Sequence, residues 1–143
     1  MIVKCHRIVA GQAIGDALTT IQPINFLTML NPEDGIIKDQ NHELFGSSVK
    51  GTVLVFPNAI GSSVGAYVIY ALRCSNAAPV AMVCTGKVDI ITASGCAISN
   101  IPLVNLLDEA MSFLFDSKLR IFVDANSGTL FVRKNKQHAN DHC

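Results

Sequence analysis

The 143-residue sequence predicts a single mixed α/β domain that is rich in strand. Three observations carry that prediction. Half of the residues are hydrophobic, enough for one sizeable core. Short apolar runs of strand type recur along the chain, punctuated by Gly, Pro, Asn and Ser. One stretch, "GTVLVFPNAIGSSVGAYVIYALRCSN" (residues 51–76), passes from a continuous apolar run through a small-residue turn into a helical pattern.

Taken in order, "IVKCHRIVAG" alternates loosely and ends in glycine, which predicts a strand over residues 2–9. Glycines on either side of Ala13 and Ile14 predict a tight turn, followed by a second strand over residues 17–24. Residues 31–48, rich in Asn, Asp, Pro and Gly, form the longest irregular segment; loops of this length are uncommon in compact domains and often functional, so this one is a candidate to line an interface that closes over a ligand. Thr52 to Phe56 is a continuous apolar run halted by Pro57, as expected of a strand covered on both faces. Val64, Tyr67, Val68, Ala71 and Leu72 recur at helical spacing and predict a helix that buries that face. "PVAMVC" predicts a second covered strand with Pro79 at its start. "VDIITASG" reads as a short helical or irregular piece, "CAISNIPLV" as a strand, and 121–123 with 129–133 as a terminal hairpin turned at Asn126, Ser127 and Gly128. The strand–helix–strand over residues 52–84 implies a parallel pair with a crossover helix. One domain is expected over residues 1–134, with 135–143 a polar, disordered tail.

Charge narrows the function. Formal net charge is zero, no basic block stands out, and only 15% of residues are charged, against about 25% in ordinary soluble domains. Nucleic-acid binding and an electrostatic membrane anchor are thereby excluded as readings. So little charge points instead to a surface partly covered by another subunit. Lys4, His6 and Arg7 interrupt the apolar N-terminus, which therefore lacks a signal-peptide core, and no apolar run approaches the roughly 20 residues that span a bilayer. A cytoplasmic protein is expected.

The five cysteines are odd in number and widely spaced, with no CxxC, against a disulfide framework or a zinc ribbon. His138, His142 and Cys143 have metal-like spacing but sit in the polar tail. No metal site is assigned.

The turn "GSSVG" (61–65) carries the chemistry. A small-residue turn opening a helix offers free backbone N–H groups and the positive end of the helix dipole, a ready anion site. Gly61 lets a ligand approach the backbone. A phosphate-cradling P-loop is excluded, since no Lys follows. Three readings stay open on the residues alone. Ser62 or Ser63 is a plain N-cap; Ser63 is the nucleophile of a G-x-S-x-G elbow, with His138 or His142 as distant partners; or Ser62 is an alkoxide base whose anion the turn stabilises. The earlier Gly46-Ser47-Ser48 copy fits a turn with nothing to hold an anion.

The segments "GQAIGDAL", "DGIIKD", "HELFGSSVKGTVLVFP", "GSSVGAYVIYAL", "APVAMV" and "GCAISNIPL" occur in this order at fitting spacing. Together they resemble the swivelling small subunit of the aconitase X proteins, over about residues 11–132. The resemblance implies a β/β/α swivelling fold, as in the mobile domain of aconitase. It implies a hydro-lyase subunit, active only with a large subunit that carries an iron–sulfur cluster, [4Fe-4S] in type, while this chain binds no cofactor. It places the base at Ser62, with Gly61 and Ser63 as substrate-binding residues. The expected reaction is dehydration of the phosphorylated hydroxy acid (R)-5-phosphomevalonate to trans-anhydromevalonate 5-phosphate. The alternatives are dehydration of cis-3-hydroxyproline or another hydroxy acid, and a non-catalytic anion-binding or interaction module. The sequence departs from the family pattern at Ile60, where many relatives carry a basic residue.

Overall fold

A computed structural model describes residues 1–106 and 118–135. Among the described residues, seven strands and three helices follow one another as β1 (Ile2–Val9), β2 (Gln12–Thr19), α1 (Phe26–Met29), β3 (Val53–Phe56), α2 (Gly65–Cys74), β4 (Ala81–Cys84), α3 (Ile90–Ser99), β5 (Leu103–Leu106), β6 (Leu119–Asp124) and β7 (Thr129–Lys134). The strands close into a barrel in the order β1-β5-β4-β3-β2-β6-β7. β2, β3, β4 and β5 run parallel, with Val53 opposite Ala81 and Val83 opposite Val104; β1 and β6 flank them antiparallel, and β7 closes the ring between β1 and β6, antiparallel to both.

Two cores lie back to back on the parallel strands. Val53, Val55, Ala81, Val83 and Val104 point into the barrel, where they meet Val3, Cys5, Ile121, Val123 and Leu130. The alternate residues Leu54, Phe56, Met82, Cys84 and Leu103 face the helices and pack with Phe26, Ile69, Leu72 and Cys96. Phe26 and Phe56 meet edge to face at 5.8 Å between ring centroids. Every residue of β3 and β4 is buried, as their continuous apolar runs predict.

Three expectations from the sequence need correction. The second strand begins at Gln12, so Gly15 lies within it rather than in a turn. Its missing side chain is what the strand requires: a Cβ there would lie 2.9 Å from the Gly51 carbonyl oxygen and 3.0 Å from Val80. Residues 96–99 are the last turn of α3, not strand. Asp89 caps the start of that helix and Asn100, in the left-handed conformation, ends it, so only Leu103 onward is extended. Finally, α2 buries Gly65, Ala66, Ile69 and Leu72, whereas Tyr67 is 69% exposed and Val64 46%. Small residues decide the helix phase here. A Cβ on Gly95 of α3 would sit 2.6 Å from Ile69 Cδ1 and 3.3 Å from Ala66 Cα, so α2 and α3 approach through their smallest side chains.

The irregular segment 31–48 is built rather than loose. Isolated bridges join Leu30 to Ile37 and Ile36 to Ser48, and Ile37, His42 and Leu44 are buried. Among the described residues no helix is long and apolar enough to cross a membrane. The tail expected over 135–143, apart from Asn135, lies outside the described residues.

The close helix contact predicts the effect of Gly95→Val. The added bulk must push Ile69 and Ala66 away, at a cost of about 1–3 kcal/mol. A urea unfolding midpoint lowered to match, with the m-value unchanged, is the expected result.

Candidate active site

The turn between β3 and α2 is held from both sides by groups outside it. Ile24 runs beside residues 58–60 as an isolated parallel bridge: its N–H donates to the Asn58 carbonyl (3.2 Å) and its carbonyl accepts from Ile60 N–H (3.0 Å). On the other side stands the Asp89 carboxylate. Oδ1 accepts from Ala59 N–H (2.8 Å) and from the Thr92 hydroxyl (2.8 Å), and Oδ2 accepts from Thr92 N–H (2.8 Å). One side chain thus caps α3 and fixes the turn beside it.

The strip that carries Ile24 is itself tied down by segment 31–48. Leu44 N–H donates to His42 Nδ1 at 3.1 Å, so the ring proton belongs on Nε2, which donates to the Pro23 carbonyl at 3.2 Å. Glu43 Oε1 accepts from the Thr20 hydroxyl and from Ile21 N–H.

Within the turn, Gly61 has φ +92°. A side chain there would be strained by that backbone and would collide with the Asn25 carboxamide, whose Cγ lies 2.7 Å from where the Cβ would be. Ser62 follows, exposed, with its Oγ accepting from Val64 N–H at 3.2 Å. The Ser62 carbonyl accepts from Gly65 N–H and the Ser63 carbonyl from Ala66 N–H, which starts α2. Val64 stands at the N-cap of α2 and its own side chain makes no cap bond, so the cap-like contact of this turn is the one from Ser62 Oγ to Val64 N–H, while the Ser63 hydroxyl caps nothing among the described residues. The N–H groups of Gly61, Ser62 and Ser63 make no hydrogen bond among the described residues. Three donors without partners among the described residues, a fourth already on the Ser62 oxygen, and the positive end of a ten-residue helix lie on one exposed turn. That arrangement favours negative charge, either on a bound oxyanion or on Ser62 Oγ itself.

The remaining sequence candidates fall into place around it. Ser63 is exposed and its hydroxyl makes no hydrogen bond among the described residues. Neither His6, exposed on β1, nor His42, committed to Pro23 and Leu44, bonds to either serine. His138 and His142 lie outside the described residues, so no hydrolytic triad is assembled within them. The earlier serine pair is a structural turn: Ser48 Oγ donates to the Asp34 carbonyl (2.7 Å) and accepts from Lys50 N–H (3.1 Å). Two residues that sequence reasoning missed, Asn25 and Asp89, shape the site. The spacing of Asp89 and Thr92 ahead of an apolar run was a readable cap signal.

Exposed apolar side chains surround the turn: Leu27 on α1, Ile60 and Val64 in the turn, Tyr67 on α2 and Ile90 on α3. Ile60 contributes no charge beside Ser62.

The sequence matches the family model for the aconitase X swivel domain over residues 2–132. The chain belongs to the aconitase X swivel-domain family. This swivel domain is 46% identical to the phosphomevalonate dehydratase small subunit of Methanothrix thermoacetophila, over 87% of this chain and 90% of that one. It is 40% identical to the small subunit of the same name from Thermococcus kodakarensis, over 92% and 96%. The crystal structure of Thermococcus kodakaraensis aconitase X in its holo form superposes with a TM-score of 0.85 at 36% identity, over 94% of this chain and 99% of that one. The swivelling β/β/α fold implied by the sequence resemblance is therefore the fold of this chain.

Asp89→Ala tests how the turn is held. It removes the cap of α3 and the anchor of Ala59 together, leaving two backbone N–H groups unpaired, for a loss of about 2–4 kcal/mol. Chemical denaturation should show that loss, and the amide resonances of residues 59–63 should shift in NMR spectra.

Proposed function

We propose that this swivel domain is the small subunit of a dehydratase that removes water from (R)-5-phosphomevalonate to give trans-anhydromevalonate 5-phosphate, with Ser62 as the base. The observation that carries the assignment is the Ser62 oxygen lying on Val64 N–H at the start of α2, beside three N–H groups that have no partner among the described residues. A serine hydroxyl is a poor base, and only strong stabilisation of its anion makes it a useful one. The names of the relatives support the substrate, a hydroxy acid with two anionic ends.

Ser62 Oγ takes the proton from the carbon next to the carboxylate. The electrons of that C–H bond form the double bond as the neighbouring C–O bond breaks and the hydroxyl departs with the bond's electron pair as hydroxide. That hydroxide and the proton taken by Ser62 together make up the water lost, and giving up the proton restores the Ser62 base. The turn's donors hold an anionic oxygen of the substrate while Gly61 permits its close approach. The iron–sulfur cluster that the family resemblance implies belongs to the large subunit in this reading. Among the described residues no group of three or more His, Cys, Asp or Glu is placed to hold a metal. Cys84 and Cys96 are buried in the helical core, where burial pushes both thiols far above their usual range, and Cys5 lies inside the barrel, its thiol pushed up to about 11 mainly by burial. The large subunit also accounts for the exposed apolar ring of Leu27, Ile60, Val64, Tyr67 and Ile90, which it would cover.

The test is reconstitution with the large subunit and NMR detection of water loss from phosphomevalonate, with cis-3-hydroxyproline offered in parallel. Turnover of phosphomevalonate by the pair, and none by the isolated chain, is expected; preference for hydroxyproline would overturn the substrate. Ser62→Ala should lower kcat by about 10²–10⁴-fold with a much smaller change in KM. Its fold should survive, because the hydroxyl contributes a single exposed turn bond. Ser63→Ala should be milder. Near-normal kcat in Ser62→Ala would refute the base assignment.

A further inference from the structure

Asn25 lies far upstream of the serine turn in sequence and against it in space. It is the N-cap of α1, and its side chain has two distinct ends. Oδ1 accepts from Thr28 N–H at 3.2 Å. Because that backbone donor demands an oxygen, the NH₂ end must face the other way. The carboxamide as a whole lies against Gly61: a Cβ there would overlap Nδ2 and lie 2.7 Å from Cγ and 2.8 Å from Oδ1. Nδ2 donates no hydrogen bond among the described residues, and Asn25 is only partly buried. A carboxamide with two unused hydrogens therefore stands beside a turn whose Gly61, Ser62 and Ser63 N–H groups are equally unused.

We infer that Asn25 is a substrate-binding residue whose Nδ2 donates to an anionic oxygen, carboxylate or phosphate, held against Gly61. The inference rests on reading this turn as the dehydratase site. Capping does not explain the residue: Asn, Asp and Ser cap helices about equally well. Among the three, only Asn joins a cap acceptor to a donor of this reach. Aspartate would serve the helix as well yet turn a negative charge toward an incoming anion. The collision between a Cβ and the carboxamide also gives Gly61 a second reason to be glycine, since a larger residue would displace the donor from the site.

Asn25→Asp in the reconstituted enzyme separates the two roles, because it keeps the cap acceptor and removes the donor. With the hydroxy acid that the wild-type complex dehydrates, KM should rise at least about 10-fold, as expected for a lost hydrogen bond to a charged group. The melting temperature should stay at the wild-type value. Asn25→Ser, which keeps the cap without adding charge, should raise KM less but in the same direction. Inhibition by inorganic phosphate identifies the oxygen: weakened in step with KM if the amide holds the phosphate, unchanged if it holds the carboxylate. Wild-type KM in both variants would overturn the inference, as would a rise in KM only where the melting temperature falls. A fully active Ser62→Ala would remove the base assignment and leave a raised KM in Asn25→Asp standing.

Discussion

The rest of the molecule depends on the double-sided burial of β3 and β4. Val53, Val55, Ala81 and Val83 fill the barrel while Leu54, Phe56, Met82 and Cys84 support the helices, so two short strands serve two cores at once. Their backbone groups are paired with β2 and β5 on either side, and the pairing runs on past the strand ends where Thr85 and Gly86 N–H donate to the Phe56 and Pro57 carbonyls. A strand locked on both faces and both edges cannot slip by one residue without exchanging its two cores. The serine turn leaves directly from this fixed platform, and its position inherits that rigidity.

Little of the turn's own sequence holds it in place. Ile24, Asp89 and the Gly61–Asn25 contact come from elsewhere in the chain. His42 and Glu43 add a further layer by tying down the strip that carries Ile24. The serine is thus exposed and free of side-chain partners, while the backbone beneath it is held at several points. That combination suits a group meant to meet a ligand: the donors are already in position before binding and need not be ordered at that moment.

What was legible in the residues follows from where local pattern and burial agree. The span of β1, the runs of β3 and β4 and the hairpin of β6 and β7 announce themselves through alternation, continuous apolarity or turn residues. Errors arose where small residues decide. Gly15 looks like a turn because only its neighbours Gly51 and Val80, both distant in sequence, reveal that the strand needs it. Tyr67 looks like core by periodicity, yet the contact with Gly95 gives Ala66 and Ile69 the buried face. The serine turn itself was readable, and the choice of Ser62 over Ser63 came from the family pattern rather than from local chemistry. Asn25 was not readable, since nothing in "PINFLTM" hints at a glycine far downstream.

The ring of strands has a consequence for how copies of the chain meet one another. Each of the seven is hydrogen-bonded to two neighbours, so among the described residues no strand is left with one side wholly unpaired. The barrel therefore gives another copy little backbone to pair with. What the chain does expose is the apolar rim beside the serine turn, whose attraction is weaker, reversible and free of strand register. Two copies that meet do so through side chains rather than by extending a sheet.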